Sequence, residues 1–376
     1  MPDVPLWLYL VAFLAVLGPL VFVHEYGHYI VGRWCGVKAD TFSIGFGRKI
    51  LGWTDKRGTE WKIGWLPLGG YVQFAGDRDA VSQPDADWQH LPAEEKSHSF
   101  PAQPVWKRAL IVLAGPVTNF LFAILIFAAF AMVYGVGRTP AVIGKVDAGR
   151  PAAEAGLLAG DRILSIDGRP IELFVDIQSA VSINLAKPAE LVVERGHERF
   201  TLTLKPQMIT ETDPFGNKTQ RAIIGVWPGA PVYTAVSPAE ALRVGVDRTA
   251  EMVRLTAAIL QQFLTGERSI KEMGGPVKIA KASGEAATLG LATLIGFTAL
   301  ISINLGFINL LPLPMLDGGH LAFYAYEAIR RRPAPPAAQE WAFRFGFAAI
   351  ATLMLVVTFN DLGSIGVWDR IARLIG

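Results

Sequence analysis

Residues 5–28 read PLWLYLVAFLAVLGPLVFVHEYGH. Residues 5–23 carry no charge and run straight into His24, Glu25 and, one helical turn on, His28. An apolar stretch of roughly 20 residues is long enough to cross the hydrocarbon core of a bilayer. No basic residue precedes it and no small-residue cleavage site closes it, so it reads as a retained span rather than a removed leader. On a helix, His24 and His28 stand four residues apart on one face, so both imidazoles can meet one metal ion. Glu25 lies beside them, within reach of a water activated at that metal. Ionisable residues at the end of such a run are costly to bury and default to a functional reading.

Three further stretches share the apolar character. Residues 109–134 and 286–316 are uncharged, and 341–359 carry only Arg344. They account for a composition that is 51% hydrophobic and 18% charged over 376 residues, with a mean hydropathy of +0.34. A soluble chain usually carries about 25% charged residues. The 35 Lys and Arg and 33 Asp and Glu still need polar surroundings, which excludes a wholly buried protein. A net charge of +2 gives no reason to expect nucleic acid as a partner. Cys35 is the sole cysteine, so there is no intrachain disulfide and no multi-cysteine metal site. Arg33, Lys38, Arg48 and Lys49 follow the first span, Lys107 and Arg108 precede the second, and Arg330, Arg331 and Arg332 separate the third from the fourth. The positive-inside rule places these on the cytoplasmic side and puts the N-terminus, residues 135–285 and the C-terminus outside.

The polar segments have their own signatures. Residues 35–105 contain TFSIGFG (41–47) and WKIGWLPLGGYVQF (61–74), aromatic and glycine-punctuated, which predict short strands and hairpins. They form either a small cytoplasmic β-subdomain or a hairpin region dipping into the membrane face. Residues 77–98 read as a loose acidic loop. Residues 140–206 predict strand, short helix, strand, helix and a two-strand hairpin pivoting on Gly196–His197. Ala155, Gly156, Leu157, Gly160, Asp161, Ile163, Ile166 and Gly168 give this segment a resemblance to bacterial PDZ domains, which bind extended peptide ends by strand addition. Residues 207–235 read as extended, and 238–263 as an amphipathic helix broken by Gly274, Gly275 and Pro276 before the third span.

Two histidines are too few for a catalytic zinc, which takes three protein ligands. Asp317 is the better third ligand: it closes the third apolar run in NLLPLPMLDGG (309–319), and the first and third spans enter from the same side. His320 reads as a supporting or structural residue. Pro312 and Pro314 interrupt the helix and expose backbone that an extended substrate can pair with. Asn119 and Asn309, amides within spans two and three, can hydrogen-bond a substrate backbone or tie helices together.

HExxH at 24–28, GxxxN at 115–119, a PDZ-like insert and NxxPxPxLDGG at 309–319, in this order, resemble the site-2 protease family of intramembrane zinc metalloproteases. The nearest pattern is the bacterial branch with a periplasmic PDZ insert. The resemblance covers nearly the whole chain. It implies a polytopic α-helical membrane protein with four transmembrane helices (1–34, 106–134, 286–325 and 337–361), a membrane-associated β-hairpin region at 35–105 and an inserted α+β PDZ domain at 140–206, followed by an extension and amphipathic helix at 207–285. It implies one Zn2+ per chain on His24, His28 and Asp317, with Glu25 as acid and base. Asn119, Asn309, Pro312, Pro314, Gly69 and Gly70 are implied substrate contacts. The implied substrates are single-span regulators such as anti-sigma factors, cut in or near the bacterial inner membrane after a first cleavage elsewhere. A peptide C-terminus is a possible occupant of the PDZ groove. Several relatives carry two tandem PDZ domains, whereas 135–235 has room for one. Two other classes compete: an adaptor with a structural zinc, which lacks a fourth ligand beyond His320, and an ion-coupled transporter, which predicts inverted repeats that the spans do not show.

Overall fold

A computed structural model describes residues 5–77, 92, 96–184, 187–212, 218–266 and 274–364; most of the expected acidic loop at 77–98 lies outside them. The chain divides into two compact units, Met1–Ala128 with Leu242–Gly376, and Ala129–Ala241.

In the first unit, α1 (Leu6–Trp34) carries the opening apolar run and the HExxH without interruption. It ends where Cys35 N–H returns to Val31 and Gly36 takes a left-handed φ of 86°, a conformation that glycine adopts at little cost. The sheet β1 (Ala39–Thr54) and β2 (Glu60–Phe74) is antiparallel. Its register makes more than a plain hairpin. Residues 41–44 pair both with 60–63 and with 70–73, while 51–54 pair with 60–63. Each strand therefore folds back on itself, leaving 70–74 as one outer strand and 49–54 as the other. Gly45, Gly47 and Gly69, all at φ near 84°, allow the bends. Ile50, Leu51, Trp53 and Trp65 are exposed on the distal half. The proximal half packs Phe42, Val72 and Phe74 against Tyr29 of α1 and Ile111 of α2 (Val105–Tyr134).

The second unit holds β3 (Val136–Arg138), β4 (Ile143–Val146), α3 (Pro151–Glu154), β5 (Arg162–Ile166), β6 (Arg169–Pro170), α4 (Phe174–Asn184), β7 (Ala189–Arg195), β8 (Glu198–Leu204), β9 (Gln207–Thr212), β10 (Lys218–Ile223), β11 (Val226–Pro228) and β12 (Val232–Thr234). The main sheet runs β6-β5-β7-β8, and β4 pairs with β11. Ile143, Leu157, Ile163, Phe174, Ile177, Leu191 and Val193 form its core. The turn at Gly156–Asp161 is held by Asp161, whose carboxylate accepts Leu158 N–H and two hydrogen bonds from Arg195. β11 pairs with β4 in a two-stranded sheet, and the compact unit runs past residue 206 to Ala241.

The first unit resumes along α5 (Pro238–Thr265), the expected amphipathic helix. The third apolar run departs from the expectation of one span over 286–325. Gly290, at φ 113°, separates α6 (Pro276–Thr288) from α7 (Leu291–Asn309). Residues 310–316 are irregular, and α8 (Asp317–Arg330) starts afresh. α9 (Pro336–Ser364) closes the described chain. The four helices α1, α2, α7 and α9 are long and apolar enough to cross a membrane. Their exposed faces are apolar too, as at Leu10, Leu121, Leu125, Phe345 and Leu355.

Candidate metal centre

One turn of α1 brings His24 and His28 into edge-on contact, with ring centroids 4.9 Å apart and planes at 85°. Their Nε2 atoms lie 3.3 Å apart. Asp317, the first residue of α8, places Oδ2 3.2 Å from Nε2 of His24 and 3.6 Å from Nε2 of His28. Among the described residues this is the group of three donors close enough to share one ion. Ligands about 2.0–2.2 Å from a tetrahedral zinc lie roughly 3.4 Å from one another, so the triangle has the size of one tetrahedral face. Two further features fit a cation. Oδ2 of Asp317 is buried and accepts no aligned hydrogen bond, although two nitrogens stand beside it. His28 Nδ1 lies 2.9 Å from Ile111 O; donating its proton there leaves Nε2 with a lone pair toward the centre.

Small residues make this convergence possible. A Cβ on Gly115 of α2 would overlap the His28 ring and come within 2.9 Å of the His24 ring. Gly27 of α1 likewise faces Thr118 and the Ala114 carbonyl, letting the helices touch backbone to backbone. The Thr118 hydroxyl sits 3.1 Å from Val23 O, just before His24. On the other side, Asp317 is placed by the loop 310–316. A Cβ on Gly318 would overlap the Leu310 and Leu311 carbonyls, and one on Gly319 the Leu313 carbonyl. The loop thus folds down onto the start of α8, with Met315 held at φ 81°. Gly346 of α9 gives Pro314 its seat, 2.7 Å from where a Cβ would stand. A negative side chain in the first turn of α8 is also favoured by the helix dipole. Further along α8, Arg108 donates to Glu327 at 2.7 Å and lies over the Tyr324 ring.

Glu25 is buried next to the pair. The outer strand 70–74 passes directly over it, since a Cβ on Gly70 would stand 3.0 Å from Glu25 Cγ. Gly69 faces the Phe46 ring and shapes the strand rather than the centre. Asn309 ends α7 half-buried, Pro312 is exposed and Pro314 is half-buried. His320 is not among the converging donors; its ring packs on Phe343 at 5.1 Å. Asn119, expected as a substrate contact, is fully buried, with its amide nitrogen 3.0 Å from His24 Nδ1. The supporting roles of Ile111 and Gly346 carry no motif and escape a reading of the sequence.

A second concavity, a cavity of about 520 Å³, lies within the other unit between α4 (Phe174, Ile177, Val181) and residues 222–228, the end of β10, the link after it and β11.

The profile of Peptidase family M50 matches residues 12–353. A protein of Agrobacterium fabrum provisionally named a zinc metalloprotease is 44% identical over 362 residues, covering 95% of this chain and 96% of its own. Metalloprotease MmpA of Caulobacter vibrioides is 38% identical over 390 residues, covering 97% of this chain and 98% of its own. Among solved structures, the PDZ domain of the SdrC-like protein of Listeria monocytogenes matches 25% of this chain and 90% of its own at 20% identity and a TM-score of 0.20, too slight a likeness to bear on the fold. An HExxH helix completed by a distant carboxylate inside a set of apolar helices defines a metallopeptidase. The chain belongs to peptidase family M50, and it is a zinc metalloprotease.

Proposed function

We propose that this metalloprotease works inside a membrane. It holds one zinc ion on His24, His28 and Asp317 and hydrolyses peptide bonds in or near the transmembrane segments of single-span regulatory proteins, such as anti-sigma factors, after another protease has made a first cut. The observation that carries this reading is the convergence of buried His24 and His28 with the half-buried Asp317, beside the buried Glu25, among helices whose outer faces are apolar. The chain sits in the bacterial inner membrane, with its N-terminus, residues 135–285 and C-terminus periplasmic and the centre toward the cytoplasmic side, an orientation that the distribution of Lys and Arg supports.

When bound, zinc supplies a Lewis acid for the scissile carbonyl and draws the pKa of an attacking water toward neutrality. Glu25 takes the proton of that water and returns it to the leaving amine. A substrate helix hides its carbonyls in its own hydrogen bonds and must unwind first. The outer strand 70–74 offers a backbone edge beside Glu25 to which the unwound segment adds as a further strand. Gly70 keeps that edge close to the carboxylate, and Asn309, Pro312 and Pro314 border the approach from the α7–α8 side. The exposed Ile50, Leu51, Trp53 and Trp65 set the distal half of the sheet against lipid. The 520 Å³ cavity accepts an extended peptide end along residues 222–228, the PDZ manner of recognition.

The test is cleavage of a purified single-span substrate in detergent. Glu25→Gln should retain zinc and lose turnover; turnover at the wild-type rate would reject the assignment. Asp317→Asn should lose both zinc and activity.

A further inference from the structure

The motif at 115–119 places Asn119 against the metal centre in a way that substrate binding does not explain. Its side chain is wholly buried, and the amide lies 3.0 Å from Nδ1 of His24, on the far side of the ring from the converging donors. The residue is itself fixed from a third helix. Ser302 of α7 donates to the Asn119 carbonyl at 2.8 Å. Gly306, one turn on, lets α7 approach until its missing Cβ would stand 3.3 Å from the Asn119 Cβ. Ser302 is completely buried as well.

The chemistry of the imidazole decides what the amide does. A histidine that gives Nε2 to a metal in its neutral form carries its proton on Nδ1. That proton points into a dry interior and must find an acceptor. The neighbour at this position is the amide of Asn119, whose two ends are nearly isosteric and exchange places by a half-turn about the last side-chain bond. Its oxygen has no donor when the nitrogen faces His24. Turned so that the oxygen faces Nδ1, it accepts the His24 proton and leaves Nε2 free to bind. His28 has its counterpart in the Ile111 carbonyl.

We infer that Asn119 is a positioning residue for the metal centre: its side-chain oxygen fixes His24 in the metal-binding tautomer, with Ser302 and Gly306 of α7 holding the asparagine in place. This rests on the reading of His24 as a metal ligand, and the test separates the two. Zinc affinity is measured on the full-length, detergent-solubilised chain by competition with a chromophoric chelator. Loss of a hydrogen-bond partner of a liganding histidine typically weakens metal binding about 10–100-fold, the loss expected for Asn119→Ala. Asn119→Asp keeps an acceptor at the same place and should bind zinc as wild type does. His24→Ala should weaken binding further than either. A substrate contact or a packing role predicts wild-type zinc affinity for Asn119→Ala, or an Asp variant as weak as the Ala one, and either result overturns the inference. Should His24→Ala bind zinc normally, the ligand reading falls and this inference with it. A measurement on the unmutated protein guards against misfolded variants. Nitrogen-15 spectra of histidine-labelled, zinc-loaded chain should show His24 protonated at Nδ1; a bare Nδ1 overturns the inference.

Discussion

A methyl group on Gly115 would occupy space now filled by the His28 imidazole and crowd that of His24. Neither ring can retreat easily, since His28 is held through Ile111 and both are buried in a close-packed interior. Gly115→Ala should therefore weaken zinc affinity by tenfold or more, a loss of about 1.4 kcal/mol or greater, and lower zinc content after desalting. Ala114→Gly, one residue away, should leave zinc content unchanged. Equal zinc in wild type and Gly115→Ala would mean that the rings shift without losing the metal. The residues meeting here differ in how legible they are in the sequence. His24, Glu25 and His28 announce themselves because ionisable groups stand out against nineteen uncharged neighbours. Asp317 follows from its place at the end of another such run. Asn119 is visible as a polar residue in a span, yet its partner is not. A polar side chain in an apolar helix reveals that it needs a hydrogen bond, not whether a substrate or a neighbouring ring supplies it.

Among the elements, the loop between α7 and α8 is the most exacting. It must end one helix, present backbone, and begin another with a carboxylate aimed at two histidines. Its proline-rich sequence discloses the interruption but not the seat, which Gly346 of α9 provides from a helix with no motif. Gly346→Val should force Pro314 away and displace Asp317. Overpacking of this kind costs about 1–3 kcal/mol. The expected outcome is reduced turnover and weaker zinc binding in a protein that remains soluble in detergent, and unchanged values for both would remove Gly346 from the support of the loop. The third apolar run misleads for a related reason: hydrophobicity records that residues avoid water, and a single glycine with φ 113° ends a helix without changing that record. In the second unit, the tie from β7 to the turn before β5 also makes a prediction. Burial alone would raise the Asp161 carboxyl, but hydrogen bonds from Arg195 and from Leu158 N–H more than offset it and hold the group below the usual carboxylate range. A carboxyl depressed in the folded state contributes stability above its unfolded pKa, about 3.9, and loses that contribution as pH falls through the folded value. Hydrogen exchange of β5 and β7 amides should accelerate as pH falls through that range, beyond the intrinsic pH dependence of exchange. Asp161→Asn should be less protected at neutral pH by about 1.5–3 kcal/mol and show less of this acid sensitivity. A variant matching wild type at both pH values would show that the tie is dispensable.

For the whole molecule, sidedness is the outstanding expectation. The natural Cys35 can be replaced by serine and single cysteines introduced at the exposed Glu198 or Arg330. A membrane-impermeant maleimide should label Glu198→Cys in spheroplasts and Arg330→Cys only after the membrane is opened. The reverse pattern would invert the proposed orientation. The chain order of the centre has a consequence of its own. His28 and Asp317 are 289 positions apart, so a ribosome has made the first helix long before the carboxylate exists. At about 5–20 residues per second that interval lasts about 15–60 s. Throughout it, two histidines and a glutamate sit in a half-made protein with no complete grip on a metal. Catalytic competence therefore arrives with the second half of synthesis, and a truncated or stalled chain is born inert. For an enzyme that cuts peptide bonds, the split site is a timer as much as a scaffold.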